Sequence, residues 1–143
     1  MPRPVKICLI RPAIVVPANN VITIFTPPLG LAYIAGSLLA ANFQVQMIDA
    51  VGESLDTRYP YGNDCHIHDL SQEKTVNKID PDTEIIGIAL GFSFEWPTCR
   101  DLMNAVRVRF PNALLIGGGE HISAVPIQSF EDSAIDIGVL GEG

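Results

Sequence analysis

An open α/β fold, with parallel strands in one sheet and helices on both faces, is what this sequence predicts. Three observations predict it. Short runs rich in Val, Ile and Leu alternate with longer stretches whose apolar residues recur at three- and four-residue spacing. The run Ile85-Ile86-Gly87-Ile88-Ala89-Leu90 is apolar without alternation, the pattern of a strand covered on both faces. Glycine and proline gather after the strand-like runs, at Pro12, Gly91, Gly117-Gly118-Gly119 and Gly141.

Val5 to Ile10 is the first strand, stopped by Arg11-Pro12, because proline cannot donate to a ladder. Residues 12–28 read as a long loop punctuated by Pro12, Pro17, Pro27 and Pro28. Leu29 to Phe43 reads as a helix on the spacing of Leu31, Ile34, Leu38 and Leu39, with Asn42 as its stop. Its many small residues predict close packing on the sheet and burial on most sides. Gln44 to Ala50 is the second strand. The stretch Gly52 to Asp69, with the pair His66 and His68, reads as irregular.

Asp69 followed by Gln72 resembles a capping box opening a short helix to about Ile79. The third strand, Ile85 to Leu90, leads through Gly91-Phe92-Ser93-Phe94-Glu95 to a helix opened by Trp96-Pro97. That helix carries Cys99, Leu102, Met103, Val106 and Phe110 on one face and charged residues on the other. Ala113 to Ile116 is the fourth strand, a short helix spans Ser123 to Phe130, and Ile135 to Leu140 is the last strand. Five strands alternating with four helices at this length predict the flavodoxin-like (Rossmann-like) three-layer order 2-1-3-4-5.

The chain has 143 residues, the size of one domain, and that domain is expected to span residues 1–143. Nine Lys and Arg against 16 Asp and Glu leave a net charge of −7, which speaks against a nucleic-acid partner held through phosphates. Apolar residues make up 48% and charged residues 17%, with a mean hydropathy of +0.28. That balance asks for more burial than a free monomer provides, as in a piece of something larger or a domain covered by its ligand. Cys8, Cys65 and Cys99 are odd in number and scattered, which predicts a reducing compartment and no disulfide framework. No signal peptide is evident and no run reaches the roughly 18 apolar residues of a membrane span, so a cytoplasmic location is expected.

In such a sheet ligands lie at the carboxyl ends of the strands. Gly117, Gly118 and Gly119 remove every side chain between backbone and a ligand at one strand end, and read as a binding wall. No Gly-Lys-Ser/Thr follows, so this is not a P-loop, and G-x-G-x-x-G is missing after the first strand. Phe92, Phe94 and Trp96 can line a flat ligand or cap the core. His66 and His68 lack a third metal ligand and read as a solvated loop pair. His121, beside Glu120, sits on the glycine wall. No catalytic constellation assembles, and the domain reads as a holder.

Three segments in this order complete a resemblance: Pro27-Pro28-Leu29-Gly30-Leu31-Ala32-Tyr33-Ile34-Ala35, Gly117-Gly118-Gly119-Glu120-His121, and Asp136 to Gly143. Together they resemble the N-terminal cobalamin-binding domain of cobalamin-dependent radical S-adenosylmethionine enzymes. The likeness implies a corrinoid across the carboxyl edge, its nucleotide tail inserted beside the sheet. It implies Gly117, Gly118 and Gly119 beside the tail, Ser93 and Phe94 at the corrin rim, and Gly141 and Glu142 at the nucleotide sugar or base. Leu29, Gly30, Glu120 and His121 complete the implied contact set. The parent enzyme would carry a [4Fe-4S] cluster and S-adenosylmethionine in a C-terminal radical barrel, and would be a methyltransferase. The chain would then be its excised cofactor module, not catalytic alone and able to self-associate through the surface the barrel leaves.

Two departures carry consequences. Strand one ends in Arg11-Pro12-Ala13-Ile14, without the D-x-H-x-x-G histidine that replaces the lower cobalt ligand in mutases and methionine synthase. Ala89 stands where the serine of the companion S-x-L pattern is expected. A receiver domain would need acidic residues and a phosphorylatable Asp where Arg11 and Phe92 stand, and a Lys at Gly141. A flavin carrier would need a Ser/Thr/Gly phosphate loop after strand one. A ligand-free interaction domain on the same fold is the remaining alternative.

Overall fold

The computed structural model describes residues 3–20 and 25–141. In chain order the first half holds β1 (Lys6–Arg11), β2 (Ile14–Pro17), α1 (Leu29–Ala40), β3 (Gln44–Asp49), β4 (Arg58–Tyr61), β5 (Cys65–His68) and α2 (Gln72–Lys78). The second half holds β6 (Ile85–Ala89), α3 (Trp96–Arg109), β7 (Leu114–Gly118), α4 (Glu120–Ala124), α5 (Pro126–Asp132) and β8 (Ile137–Val139). Five strands form one parallel sheet in the order β3-β1-β6-β7-β8. Among the predicted strands this is the order 2-1-3-4-5, and the fold is flavodoxin-like.

The core lies between the sheet and α2 and α3. Cys8, Ile10, Ile86, Ile88 and Leu115 from the strands meet Cys99, Met103 and Val106 from α3. Cys99, Leu102, Met103 and Val106 are buried as their spacing predicts. Burial pushes the Cys8 and Cys99 thiols up to about 12, so both are protonated filler. Helix α1 ends as Asn42 predicts: Asn42 takes φ 65, its N–H bonds Leu39 O, and the Phe43 N–H reaches back to Leu38 O. This pair of bonds is the Schellman closure, with Asn in the left-handed position.

Four expectations are corrected. Helix α1 has no buried residue: Leu31, Ala35 and Leu38 half-bury toward β1 and β3, while Leu29, Tyr33 and Leu39 face outward at 64%, 78% and 57% exposure. It packs against β1 and β3 on one side, and among the described residues nothing covers the outward side chains on the other. The loop after β1 and the polar excursion after β3 are not irregular. Parts of them pair as a second, antiparallel sheet in the order β2-β5-β4. The cap of α2 is Ser71, whose hydroxyl accepts from the Lys74 N–H at 3.3 Å, and not Asp69. The last helix is two, because Pro126 cannot continue α4 and instead opens α5.

Candidate functional site

From β1 the sheet grows to β3 on one side and to β6 on the other. The connections that follow β1 and β6 therefore leave toward opposite faces of the sheet, and a crevice opens between the carboxyl ends of these two adjacent strands. A cleft of about 300 Å³ lies there. Arg11, Pro12, Ala13 and Ile14 form its wall after β1, and Ala89, Gly91, Phe92 and Glu95 its wall after β6. Pro28, Gly30 and Leu31, at the start of α1, close the third side. The lining is mostly apolar, with one cation and one carboxylate.

Both charges are tied to backbone. Arg11 Nη1 donates to the Thr26 carbonyl at 2.9 Å and lies 3.4 Å from the Asp49 carboxylate, so the end of β1 holds the loop that leads into α1. Glu95 is 6% exposed. Its Oε1 accepts from the Val15 N–H and its Oε2 from the Phe92 N–H, each at 3.4 Å. Burial raises its carboxyl above the ordinary range, against those two bonds and the Arg11 charge, which favour the anion.

Phe92 and Phe94 stack at 5.8 Å between centroids and stand 63% and 58% exposed on the crest. Ser93, between them, bonds its Oγ to His121 Nδ1 at 2.9 Å, and the His121 ring stacks on Trp96 at 4.3 Å. Burial lowers the His121 pKa, which keeps the ring neutral near pH 7. The backbone N–H of His121 also bonds the carbonyls of Leu90 and Gly91. His121 thus fastens the loop after β6 to the start of α4.

The glycine run has internal duties. A Cβ on Gly117 would meet Leu90 Cδ1 at 2.8 Å and Ile135 Cδ1 at 2.9 Å, and one on Gly119 would meet the Leu90 carbonyl oxygen. Gly119 also takes φ 131, open to glycine almost alone. Gly118 has more room, with Val139 Cβ at 3.4 Å. Gly141 is exposed, its N–H bonded to Ser123 Oγ at 2.9 Å. Glu142 lies outside the described residues.

Of the residues singled out from sequence, Gly30 lines the cleft and Leu29 stands beside it. Ser93 and Phe94 form a one-turn helix with Glu95 at the same loop, while Gly117, Gly118, Gly119, Glu120 and His121 belong to the neighbouring strand end. Phe92, read as able to line a flat ligand, does stand in the cleft wall, while the sequence reading missed Arg11, Ala13 and Glu95 there. His68 is no solvated loop residue: it is buried in β5, edge-on to Phe25 at 4.8 Å, with its pKa lowered by burial. Behind Pro12 and Ala13 a second cavity of about 170 Å³ is lined by Asp69, Thr75 and Thr98.

The chain is 29% identical over 123 residues to the cytidylyl-2-hydroxyethylphosphonate methyltransferase of Streptomyces wedmorensis, covering 82% of this chain and 23% of that protein. It is 30% identical over 139 residues to an uncharacterized methyltransferase of Pyrococcus horikoshii, covering 96% of this chain and 27% of that one. The chain thus spans about a quarter of the length of these relatives. Among the described residues no helix is long and apolar enough to cross a membrane. The family model of the B12 binding domain matches residues 16–143, which include most of the cleft, both aromatic and glycine segments and every strand after β1 but the first two residues of β2. The chain belongs to the B12-binding domain family.

Proposed function

We propose that this domain holds cobalamin across the carboxyl edge of its sheet as the cofactor module of a larger radical S-adenosylmethionine enzyme, a methyltransferase. The observation that carries the reading is the apolar cleft at the point where strand order reverses, in a chain of the B12-binding family. Its size suits the inserted nucleotide tail rather than the whole macrocycle, which would lie outside on the crest. The residues present fit such a ligand. The exposed Phe92 and Phe94 pair offers an apolar rest for a ring edge, and Gly30, Gly118 and Gly141 leave the approach low. Arg11 and Glu95 offer a donor and an acceptor to amide arms. Gly117, Gly119, Glu120 and His121 would shape the wall behind the tail.

No residue of the wall after β1 carries an imidazole, so cobalt would be held without a protein histidine there. Bound cobalamin supplies a methyl-carrying cobalt; this chain's part is to seat it, orient it and shield one face. The cluster, S-adenosylmethionine and the substrate would belong to a barrel domain beyond this chain. The methyltransferase names and fourfold greater length of the relatives support that arrangement. Hydroxocobalamin mixed with the purified domain and passed through a sizing column tests the reading. Visible corrin absorbance travelling with the protein is the expected result, and none retained at high protein concentration would sink it.

The outward face of α1 would meet that barrel. The helix carries no charge over its twelve residues and turns Leu29, Tyr33 and Leu39 to solvent. Covering an apolar side chain of this size is worth about 1.5–3 kcal/mol. In the isolated domain the same face should pair with itself. Tyr33→Lys with Leu39→Lys is expected to turn a concentration-dependent dimer into a monomer by sedimentation velocity, with corrinoid retention unchanged. Identical association in the double variant would remove α1 from the contact.

A further inference from the structure

Among the described residues Glu95 is the one carboxylate in the cleft wall, and its two oxygens serve two different elements. β2 is an outer strand of the three-stranded sheet, and its Val15 N–H turns to Glu95 Oε1. The Phe92 N–H, in the loop after β6, turns to Oε2. Ile14, next to Val15, and Phe92 stand on facing walls of the cleft. The carboxylate therefore spans the seam between the main sheet and the appended one, at the site's edge. Both bonds are long, 3.4 Å, so neither is strong alone, and the acceptor's charge is what strengthens the pair.

We propose that Glu95 is the positioning residue of the cleft, its carboxylate bracketing the edge of the small sheet to the loop after β6 and so fixing the width of the opening that receives the ligand. The proposal rests on the cobalamin reading only for the identity of that ligand. A proton on either oxygen turns one acceptor into a donor facing an N–H, and one arm of the bracket is lost.

The charged and titratable groups that act on Glu95 are Arg11 at the end of β1 and Cys99 one turn along α3, and His121 of α4 is bonded to Ser93, two residues before Glu95. Burial raises the Glu95 carboxyl, so the bracket opens at a pH above the usual carboxylate range. Global stability runs the other way. A buried acid with a raised pKa contributes stability that is present below its unfolded value and is lost as pH rises through the folded one. In a loosened cleft where Glu95 stays buried but lacks the two bonds that favour its anion, its carboxyl is raised further, so acidification loosens the cleft while this group does not weaken the fold.

The test is amide hydrogen exchange at Val15 and Phe92 in the ligand-free domain, with hydroxocobalamin retention measured from pH about 5 to 8. Glu95→Gln, which keeps one acceptor oxygen and turns the other into a donor, is expected to speed at least one of the two amides about tenfold at neutral pH, after correction for intrinsic rates. It should also weaken retention about tenfold and flatten its pH dependence. Glu95→Asp, one methylene shorter, should protect one amide and expose the other. If a variant does not fold, the wild-type amides still decide, since at least one of them must lose protection as pH falls. Unchanged amide exchange overturns the proposal. So does a pH dependence that survives in Glu95→Gln, because His121 would then be the titrating group. The amide result holds whether or not a corrinoid is retained, so failure of the bracket and failure of the cobalamin reading are told apart.

Discussion

Gly119→Ala is expected to lower the stability of the domain by about 3 kcal/mol or more, a large part of the 5–15 kcal/mol that separates folded from unfolded in a typical domain. Two independent costs add at this residue. Its φ of 131 lies where side chains other than hydrogen are strained. The new methyl would also run into the Leu90 carbonyl oxygen, a backbone atom fixed between two bonds: the Leu90 N–H donates to Gly118 O at 2.7 Å and its carbonyl accepts from the His121 N–H. Nothing there can swing aside. In urea the midpoint should fall by about 1–3 M, at the usual slope for a small domain. Gly118→Ala is the companion. Its Cβ would meet Val139 at 3.4 Å, a contact that a few tenths of an ångström relieve, so a loss under about 1 kcal/mol is expected. Equal losses in the two variants would show that the run is intolerant as a whole and that the Leu90 contact does not set the cost.

That contrast bears on what the sequence made legible. Three glycines at a strand end marked a place where backbone must come close, and it does; the residues alone did not say whether to a ligand or to the protein's own chain. Gly117 and Gly119 approach Leu90, and Gly118 remains the one with space in front of it. Of the main sheet, β1 and β6 were the most readable, because each is a short apolar run rich in Ile, with four consecutive buried residues in β1 and alternating full and partial burial in β6. Helix α1 was readable as a helix but not as an exposed one. Periodicity reports which positions are apolar, and a helix apolar all round looks the same whether its own domain or a partner covers it.

The small sheet was hidden by proline. β2 ends at Pro17 and β4 contains Pro60, which the usual reading takes as a strand breaker. Both are outer strands, where a missing N–H costs little, and only β5 between them must pair on both sides. The signal that could have found the hairpin is Gly62-Asn63-Asp64 between Tyr61 and Cys65, which pair across it, with Gly62 at φ 62. Glu95 was overlooked for a related reason. One carboxylate among Phe92, Phe94 and Trp96 reads as the soluble face of an aromatic segment. Its role depends on Val15, distant in sequence and brought near only by the unforeseen sheet. The site's polar members act through partners far away in sequence, Arg11 with Thr26 and Asp49 and Glu95 with Val15, which local pattern does not encode.

Gly30→Phe is expected to abolish most corrinoid retention while leaving the fold intact, the inverse of Gly119→Ala. Gly30 is the second residue of α1 and lines the cleft, and a Cβ built on it meets nothing within 4 Å. A side chain is therefore sterically free there, and it should gain up to about 0.5 kcal/mol, because glycine is the poorest ordinary residue in a helix. A phenyl ring at this position would fill the third side of an opening of about 300 Å³, between Pro28 and Leu31, and occupy the space into which an inserted tail must pass. Losing that insertion should weaken hydroxocobalamin binding at least about tenfold, roughly 1.4 kcal/mol, with an unchanged or slightly raised urea midpoint. Gly36→Phe is the control: it lies on the same helix with equally open space and does not line the cleft, so retention should match the wild type. If Gly30→Phe retains corrinoid as well as Gly36→Phe does, the tail does not enter at the junction of β1 and β6. The ligand would then have to be sought one strand over, where Gly118 and Gly141 leave the crest open.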